Sequence, residues 1–247
     1  MTGPHSKPLS EPPTDPATSE PPRPRRGIRS FVVRGGRMTV AQQRAWQVSW
    51  PRYGREVCDA PIDLDAWFGR RARRLLEIGF GNGENLIALA APQPDQDFLG
   101  IEVHRPGVGH LLLRCEELGL RNVRVLCHDA TECLAAHLPA ESFAEVLLYF
   151  PDPWPKKRHH KRRIVQPEFV AHVARVLERG GVLRLATDWV PYAEHMRDVL
   201  AASEQFVNDA PGGSAWSPRP ASRPQTRFER RGERLGHEVR DLAYRRR

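Results

Sequence analysis

Apolar residues along the chain fall into two alternating kinds of stretch. RLLEIGF (74–80), DFLGIEV (97–103), NVRVLCHD (122–129), FAEVLLYF (143–150) and GVLRLATD (181–188) are short and rich in branched residues. Near-continuous runs of this kind predict strands covered on both faces. Between them, ENLIALAA (84–91), GVGHLLLRCEELG after Pro106, TECLAAHL and PEFVAHVARVLERGG carry helical spacing. Gly119 is a stop signal, Pro167 a start, and Gly180–Gly181 is the expected end of the last helix. Strands alternating with helices mean βαβ units, so the class is α/β, with a mostly parallel central sheet and helices on both faces. Upstream, TVAQQRAWQVSWPRYG predicts a short helix ended near Pro51. At the other end, TRFERRGERLGHEVRDLAYRRR predicts a short helix and then a last strand.

Composition divides the chain. Residues 1–26 hold eight prolines and almost nothing large and apolar. Such a segment cannot bury enough surface to offset its ordering entropy, so it is expected to be a disordered tail. Residues 27–247 then form one domain, long enough for a sizeable core. The formal net charge of +8 is not spread evenly. KKRHHKRR (156–163) carries six Lys or Arg and no acid, and residues 219–247 carry ten Arg against four acids. A focused basic surface points to a polyanion, although charge runs are often only solvated faces. Cys58, Cys115, Cys127 and Cys133 form no CxxC pair, and His159 and His160 are adjacent, so no metal site is expected. The cysteines read as reduced core or near-core residues of a cytoplasmic protein. No apolar run reaches the ~20 residues of a membrane helix, and the N-terminus has no signal core.

Ligands of open parallel sheets bind outside the carboxyl ends of the strands. The first strand ends in Glu77-Ile-Gly79-Phe-Gly81-Asn-Gly83. These glycines permit a tight turn and close backbone approach. The spacing is ExGxGxG rather than the GxGxxG of a pyrophosphate site, and an acid stands at the mouth. That favours a cationic ligand without phosphate, and S-adenosylmethionine, with its sulfonium and ammonium, fits. The second strand ends in Glu102, where a carboxylate can accept ribose hydroxyls, and the third in Asp129, where one can take an adenine amino group. Either acid alone could merely cap the next helix. Three successive strands ending in an acid, beside a triple-glycine loop, favour a nucleoside-type cofactor.

The fourth strand runs into Tyr149-Phe150-Pro151-Asp152-Pro153-Trp154-Pro155-Lys156. Three prolines fix φ and leave Asp152 little freedom, at the place where a transferable methyl would point. The bland alternative is an Asp in a proline turn with Trp154 as a core anchor. Thr226-x-x-Glu229 reads as a capping box, and Asp188 as either a ligand contact or the cap of the YAEHM helix.

Together these motifs resemble the bacterial tRNA (guanine-N7-)-methyltransferase family. The resemblance runs from about IRSFVVRGGRMT (28–39) to the C-terminus and is densest in LLEIGFGNGENL, YFPDPWPKKRHHKRRIVQPEF, LATDWVPYAEHM and SRPQTRFERRGERLGH. It implies a Rossmann-like class I methyltransferase fold. It implies that Glu77, Glu102 and Asp129, with the loop of Gly79, Gly81 and Gly83, bind S-adenosylmethionine, leaving S-adenosylhomocysteine as product. Asp152 takes the catalytic position, near the cofactor. Lys156, Asp188 and Thr226, Arg227, Phe228 and Glu229 are implied as substrate contacts, and Arg158, His159, His160, Lys161, Arg162 and Arg163 as contacts to tRNA. The Pro-rich tail lies outside the pattern, and Pro155 stands where a variable, often polar, residue is expected. Two rivals remain. PDPWP also resembles the DPPW turn of enzymes that methylate exocyclic amines, and a non-catalytic RNA-binding protein can retain the fold. The intact glycine loop and strand-end acids disfavour the second.

Overall fold

The computed structural model describes residues 29–31, 36–58, 60–225, 229, 236 and 238–247. The Pro-rich tail and, except for Glu229 and Gly236, the expected helix from Thr226 lie outside these. Among the described residues, seven strands form one sheet in the order β3-β2-β1-β4-β5-β7-β6. They are β1 (Arg74–Ile78), β2 (Asp97–Ile101), β3 (Val123–Leu126), β4 (Phe143–Tyr149), β5 (Leu177–Thr187), β6 (Phe206–Asn208) and β7 (Arg240–Arg246). The first five are parallel, and β7 inserts antiparallel between β5 and β6. From β1 the chain steps outward through β2 to β3, then returns to the other side of β1 with β4. The carboxyl ends of β1 and β4 therefore flank the point where the strand order reverses, and a ligand crevice is expected there.

The helices are α1 (Val40–Tyr53), α2 (Leu64–Phe68), α3 (Glu84–Ala90), α4 (Arg105–Glu117), α5 (Ala130–Glu132, continued by a π turn over Cys133–His137), α6 (Pro167–Val176) and α7 (Val190–Ala201). Strand side chains alternate between two cores. Leu75, Phe98, Val123, Val125 and Leu147 pack with Leu86, Leu111 and Leu112 of α3 and α4. Leu76, Ile78, Leu99, Ile101, Val146 and Leu148 pack with Phe169, Val173, Tyr192 and Met196 of α6 and α7. Glu77 and Tyr149 lie two residues beyond Leu75 and Leu147, so they share the α3–α4 side.

The end of α1 falls within two residues of the one expected near Pro51, whereas that of α6 is displaced. α1 continues past Pro51, because a proline in the last turn forfeits only one intrahelical bond. Tyr53 is buried with its hydroxyl donating to the Cys115 carbonyl (3.3 Å), which secures that turn. A Thr39–Gln42 capping box starts the helix. α6 ends at Val176, not at Gly180. The amides of Glu141 and Ser142 donate to the carbonyls of Arg175 (2.9 Å) and Val176 (2.8 Å), taking acceptors that a longer helix would use. Leu177 instead extends as the first residue of β5, buried opposite Phe143. All four cysteines are free. Cys115 and Cys133 are buried and Cys127 half-buried, whereas Cys58 is exposed rather than near-core.

Candidate active site

The loop after β1 turns through Gly79, Gly81 and Gly83 at φ 70°, 58° and 79°, conformations that favour glycine. Gly83 is fixed twice over, since a Cβ there would also lie 2.7 Å from Leu111 Cδ1. Glu102 tethers this loop. Its carboxylate accepts hydrogen bonds from the amides of Gly81 (2.9 Å), Val103 (2.7 Å) and His104 (2.9 Å). The second strand-end acid is thus joined directly to the first strand's glycines.

Glu77 sits beneath the loop and is only 4% exposed. Burial pushes its carboxyl up to about 7, the nearby Asn85 amide opposes the rise without reaching hydrogen-bond geometry, and the charge of Glu102 adds to it. One Glu77 oxygen and both polar atoms of the Asn85 side chain are buried with no hydrogen-bond partner among the described residues. Unpaired buried polar groups are costly, and a pair of them lining a cavity marks a place for a polar ligand. That cavity, of about 360 Å³, is bounded by the glycine loop, Glu77, Asn85, Tyr149, Phe150 and Arg223. A carboxylate and an amide here suit the ammonium and carboxylate ends of an amino acid, so the residues fit the methionine part of S-adenosylmethionine. Sequence reading missed Asn85. Its signal is its place in the first turn of α3, two residues after the last glycine of the loop.

A second cavity of about 210 Å³ shares Gly79, Tyr149 and Phe150 with the first and extends over Ile78, Glu102, His128, Pro151 and Asp152, under Ser30 and Phe31. Asp152 is exposed and lines it. The turn that carries Asp152 is strained at both ends. Phe150 (φ 52°) and Trp154 (φ 44°) occupy the positive-φ region although neither is glycine, and each precedes a proline that narrows its backbone further. Such a conformation costs roughly 1–2 kcal/mol per residue and persists only where the surroundings enforce it. Here the Trp154 indole donates to the Ser30 carbonyl (2.9 Å), and Arg163 Nε donates to the Pro153 carbonyl (3.0 Å). The Arg162 guanidinium lies 4.9 Å over the Trp154 ring.

Asp129 does cap the short α5, its carboxylate accepting from the Thr131 amide (2.8 Å). It lines an adjoining groove with Arg29, Lys161 and Arg162, whereas its neighbours His128 and Ala130 line the Asp152 cavity. The basic run folds as a 3-10 helix, Lys157–Arg162. Lys156, Arg158 and Lys161 are exposed, with His159 and His160 half-buried beside them. Desolvation and the cations of Arg158, Arg162, Lys156 and Lys161 push the His159 imidazole down. Arg163 departs from the surface role expected for it. It is 3% exposed and packs 4.9 Å over Tyr192, so it holds the turn from beneath instead of facing solvent.

Asp188 is half-buried at the end of β5 and does not cap α7, whose N-cap is Trp189. Glu229 is buried in an ion cluster with Arg223 (2.9 Å), and Arg223 also binds Asp241 (3.0 Å). Thr226, Arg227 and Phe228 lie outside the described residues. Among the described residues no three His, Cys, Asp or Glu side chains gather as a metal site.

A family model described as a putative methyltransferase matches residues 71–242. Curated relatives are named tRNA (guanine-N(7)-)-methyltransferase. The one from Alkalilimnicola ehrlichii is 59% identical, covering 90% of this chain and 94% of its own length. That from Leifsonia xyli subsp. xyli is 58% identical, covering 88% and 95%. Among solved structures, the 16S rRNA methyltransferase KamB is similar with a TM-score of 0.52 and 17% identity, covering 74% of this chain and 93% of that one. The aminoglycoside resistance methyltransferase NpmB1 gives 0.50 and 16%, covering 75% and 92%. At such identities these two bear on the fold alone, which is the α/β, Rossmann-like class I methyltransferase fold.

Proposed function

The chain belongs to the family of tRNA (guanine-N(7)-)-methyltransferases, and from this premise we propose that it methylates N7 of a guanine in the tRNA variable loop, with Asp152 facing the base. The observation that carries the reading is Asp152 in a strained turn at the switch point, sharing one crevice with the glycine loop and Glu102. S-Adenosylmethionine, when bound, supplies an electrophilic methyl group and leaves as S-adenosylhomocysteine.

The residues present can hold that donor. Glu77 and Asn85 match its amino-acid end. Glu102 has three of roughly four lone-pair sites taken by backbone amides, which leaves one for a ribose hydroxyl instead of the two expected. Asp129 keeps its second oxygen for the adenine amino group while capping α5.

Guanine N7 is an unprotonated lone pair, so no residue has to remove a proton before it reacts. What the protein must do is align the base, exclude water and stabilise the charge that develops on the purine. Alignment alone can supply ~7–11 kcal/mol. Ile78, Leu148, Phe150 and Phe31 make the apolar wall. Asp152 accepts hydrogen bonds from N1–H and N2–H₂, whose acidity rises as N7 becomes cationic, which is electrostatic and orienting work. In the variable loop the guanine has to leave its tertiary contacts, at a cost of a few kcal/mol. Lys156, Arg158 and Lys161 recover part of that through phosphate contacts. Asp188, half-buried after β5, is proposed to meet the substrate, as are Thr226, Arg227 and Phe228, whereas Glu229, 2% exposed and paired with Arg223, departs from the contact role expected for it.

No helix among the described residues is long and apolar enough to cross a membrane, and the proposed location is the cytoplasm, where tRNA is. Incubation with unfractionated, unmodified tRNA and labelled donor tests the reading. Formation of 7-methylguanosine is expected. N6-methyladenine or N4-methylcytosine would favour the DPPW alternative, and failure to bind S-adenosylhomocysteine in calorimetric titration would favour a non-catalytic RNA-binding protein.

A further inference from the structure

We propose that Arg223 is a positioning residue, a cationic clamp that holds Phe150 in its strained conformation and thereby fixes Asp152 two residues on. The proposal rests on the reading of Asp152 given above.

The two ends of the Asp152 turn are restrained by different parts of the chain. The Trp154 end is held by Ser30, Arg162 and Arg163. At the Phe150 end, the amide donates to the Ala186 carbonyl (2.8 Å). Its ring lies 5.6 Å from the Arg223 guanidinium, which also covers Tyr149 at 5.4 Å. Arg223 is itself immobilised. One of its terminal nitrogens donates to Glu229 Oε1 (2.9 Å) and the other to Asp241 Oδ2 (3.0 Å), with all three residues buried. Asp241 in β7 is the register partner of Ala186 in β5. Phe150, Ala186, Asp241 and Arg223 therefore close a ring of contacts around the end of β4. A planar guanidinium can satisfy two carboxylates at its edge and cover two aromatic rings with its face, which an ammonium cannot.

The simpler role for Arg223 is neutralising two buried acids. The two roles differ in what Phe150 contributes. If Arg223 sustains a disfavoured φ, relieving the strain with Phe150→Gly removes most of the need for the clamp. If Arg223 only balances charge, the identity of residue 150 is irrelevant to it.

The test is a double-mutant cycle of Arg223→Lys and Phe150→Gly. The turnover rate is read on whichever methylated nucleoside the wild type forms, with circular dichroism melts to establish folding. Arg223→Lys is expected to lower kcat roughly tenfold in the wild-type background, the factor that a strain of the left-handed kind represents. In the Phe150→Gly background it should cost less than about twofold. The same factor in both backgrounds, or no fall in kcat, overturns the clamp. Should Arg223→Lys fail to fold, Asp241→Ala keeps Arg223 and removes one of its two anchors. Its kcat loss must then shrink likewise in the Phe150→Gly background, and an unchanged loss overturns the proposal. A product other than 7-methylguanosine, or an Asp152→Ala variant of full activity, defeats the functional reading separately.

Discussion

Glu77→Gln is expected to stabilise the ligand-free protein above pH 7 while weakening its grip on the methyl donor. Burial raises the Glu77 carboxyl from 4.5 to about 7, with Glu102 adding to the rise and Asn85 opposing it. In the unfolded chain the group ionises above about 4.5. Between 4.5 and 7 the folded state therefore retains a proton that the unfolded state has lost, and stability falls as pH rises through that window. Above pH 7 the whole penalty is present. At about 1.36 kcal/mol per pKa unit it amounts to about 3 kcal/mol. Glutamine carries no such charge, so its advantage is near zero at pH 4.5 and reaches about 3 kcal/mol at pH 8. For a chain of this size that is a rise in Tm of roughly 6–12 °C. Thermal melts at pH 5 and pH 8 check it, and an equal shift at both values, or a lower Tm at pH 8, would refute the reasoning. The ligand side is coupled to the same proton. An ammonium placed at Glu77 prefers the carboxylate, so wild-type affinity for S-adenosylhomocysteine should fall below pH 7, by up to about tenfold per unit, and level off above it. Calorimetric titration should find the glutamine variant weaker at pH 8 and nearly flat with pH.

Arg158→Ala and Lys161→Ala should each reduce the slope of log affinity for tRNA against log salt by roughly one, measured by filter binding, and unchanged slopes would remove this helix from the RNA footprint. Arg163→Ala should leave the slope unchanged and lower stability by about 2 kcal/mol, because it loses the Pro153 bond and its place over Tyr192. Gly83→Ala places a Cβ against Leu111 at a positive φ and should cost about 2 kcal/mol in chemical denaturation.

The parts of the site that follow the chain in order were readable from the sequence. The apolar runs predicted β1 to β5, and the acid or turn after each of β1 to β4 put Glu77, Glu102, Asp129 and Asp152 at one edge, because a parallel sheet delivers those ends together. The parts made by register were not readable. Arg223 and Asp241 are 18 positions apart and meet, with Glu229, only because β7 returns antiparallel beside β5. Asp241 read as one charge among many in an arginine-rich tail. Ser30 and Phe31 reach the cavity from more than a hundred residues away, through Trp154. Arg163 looked like its basic neighbours, since nothing in KKRHHKRR distinguishes the one arginine that turns inward. The early end of α6 was hidden for a similar reason, because its last carbonyls are taken by amides of a distant loop.

The central claim is that Asp152 acts on a guanine of tRNA. Mapping the methylated nucleoside by mass spectrometry, on unmodified tRNA treated with wild type and with Asp152→Ala, tests it most directly. The account predicts 7-methylguanosine at one variable-loop position with wild type, and loss of that product in Asp152→Ala while S-adenosylhomocysteine still binds. A different methylated nucleoside, or undiminished 7-methylguanosine from Asp152→Ala, would contradict it.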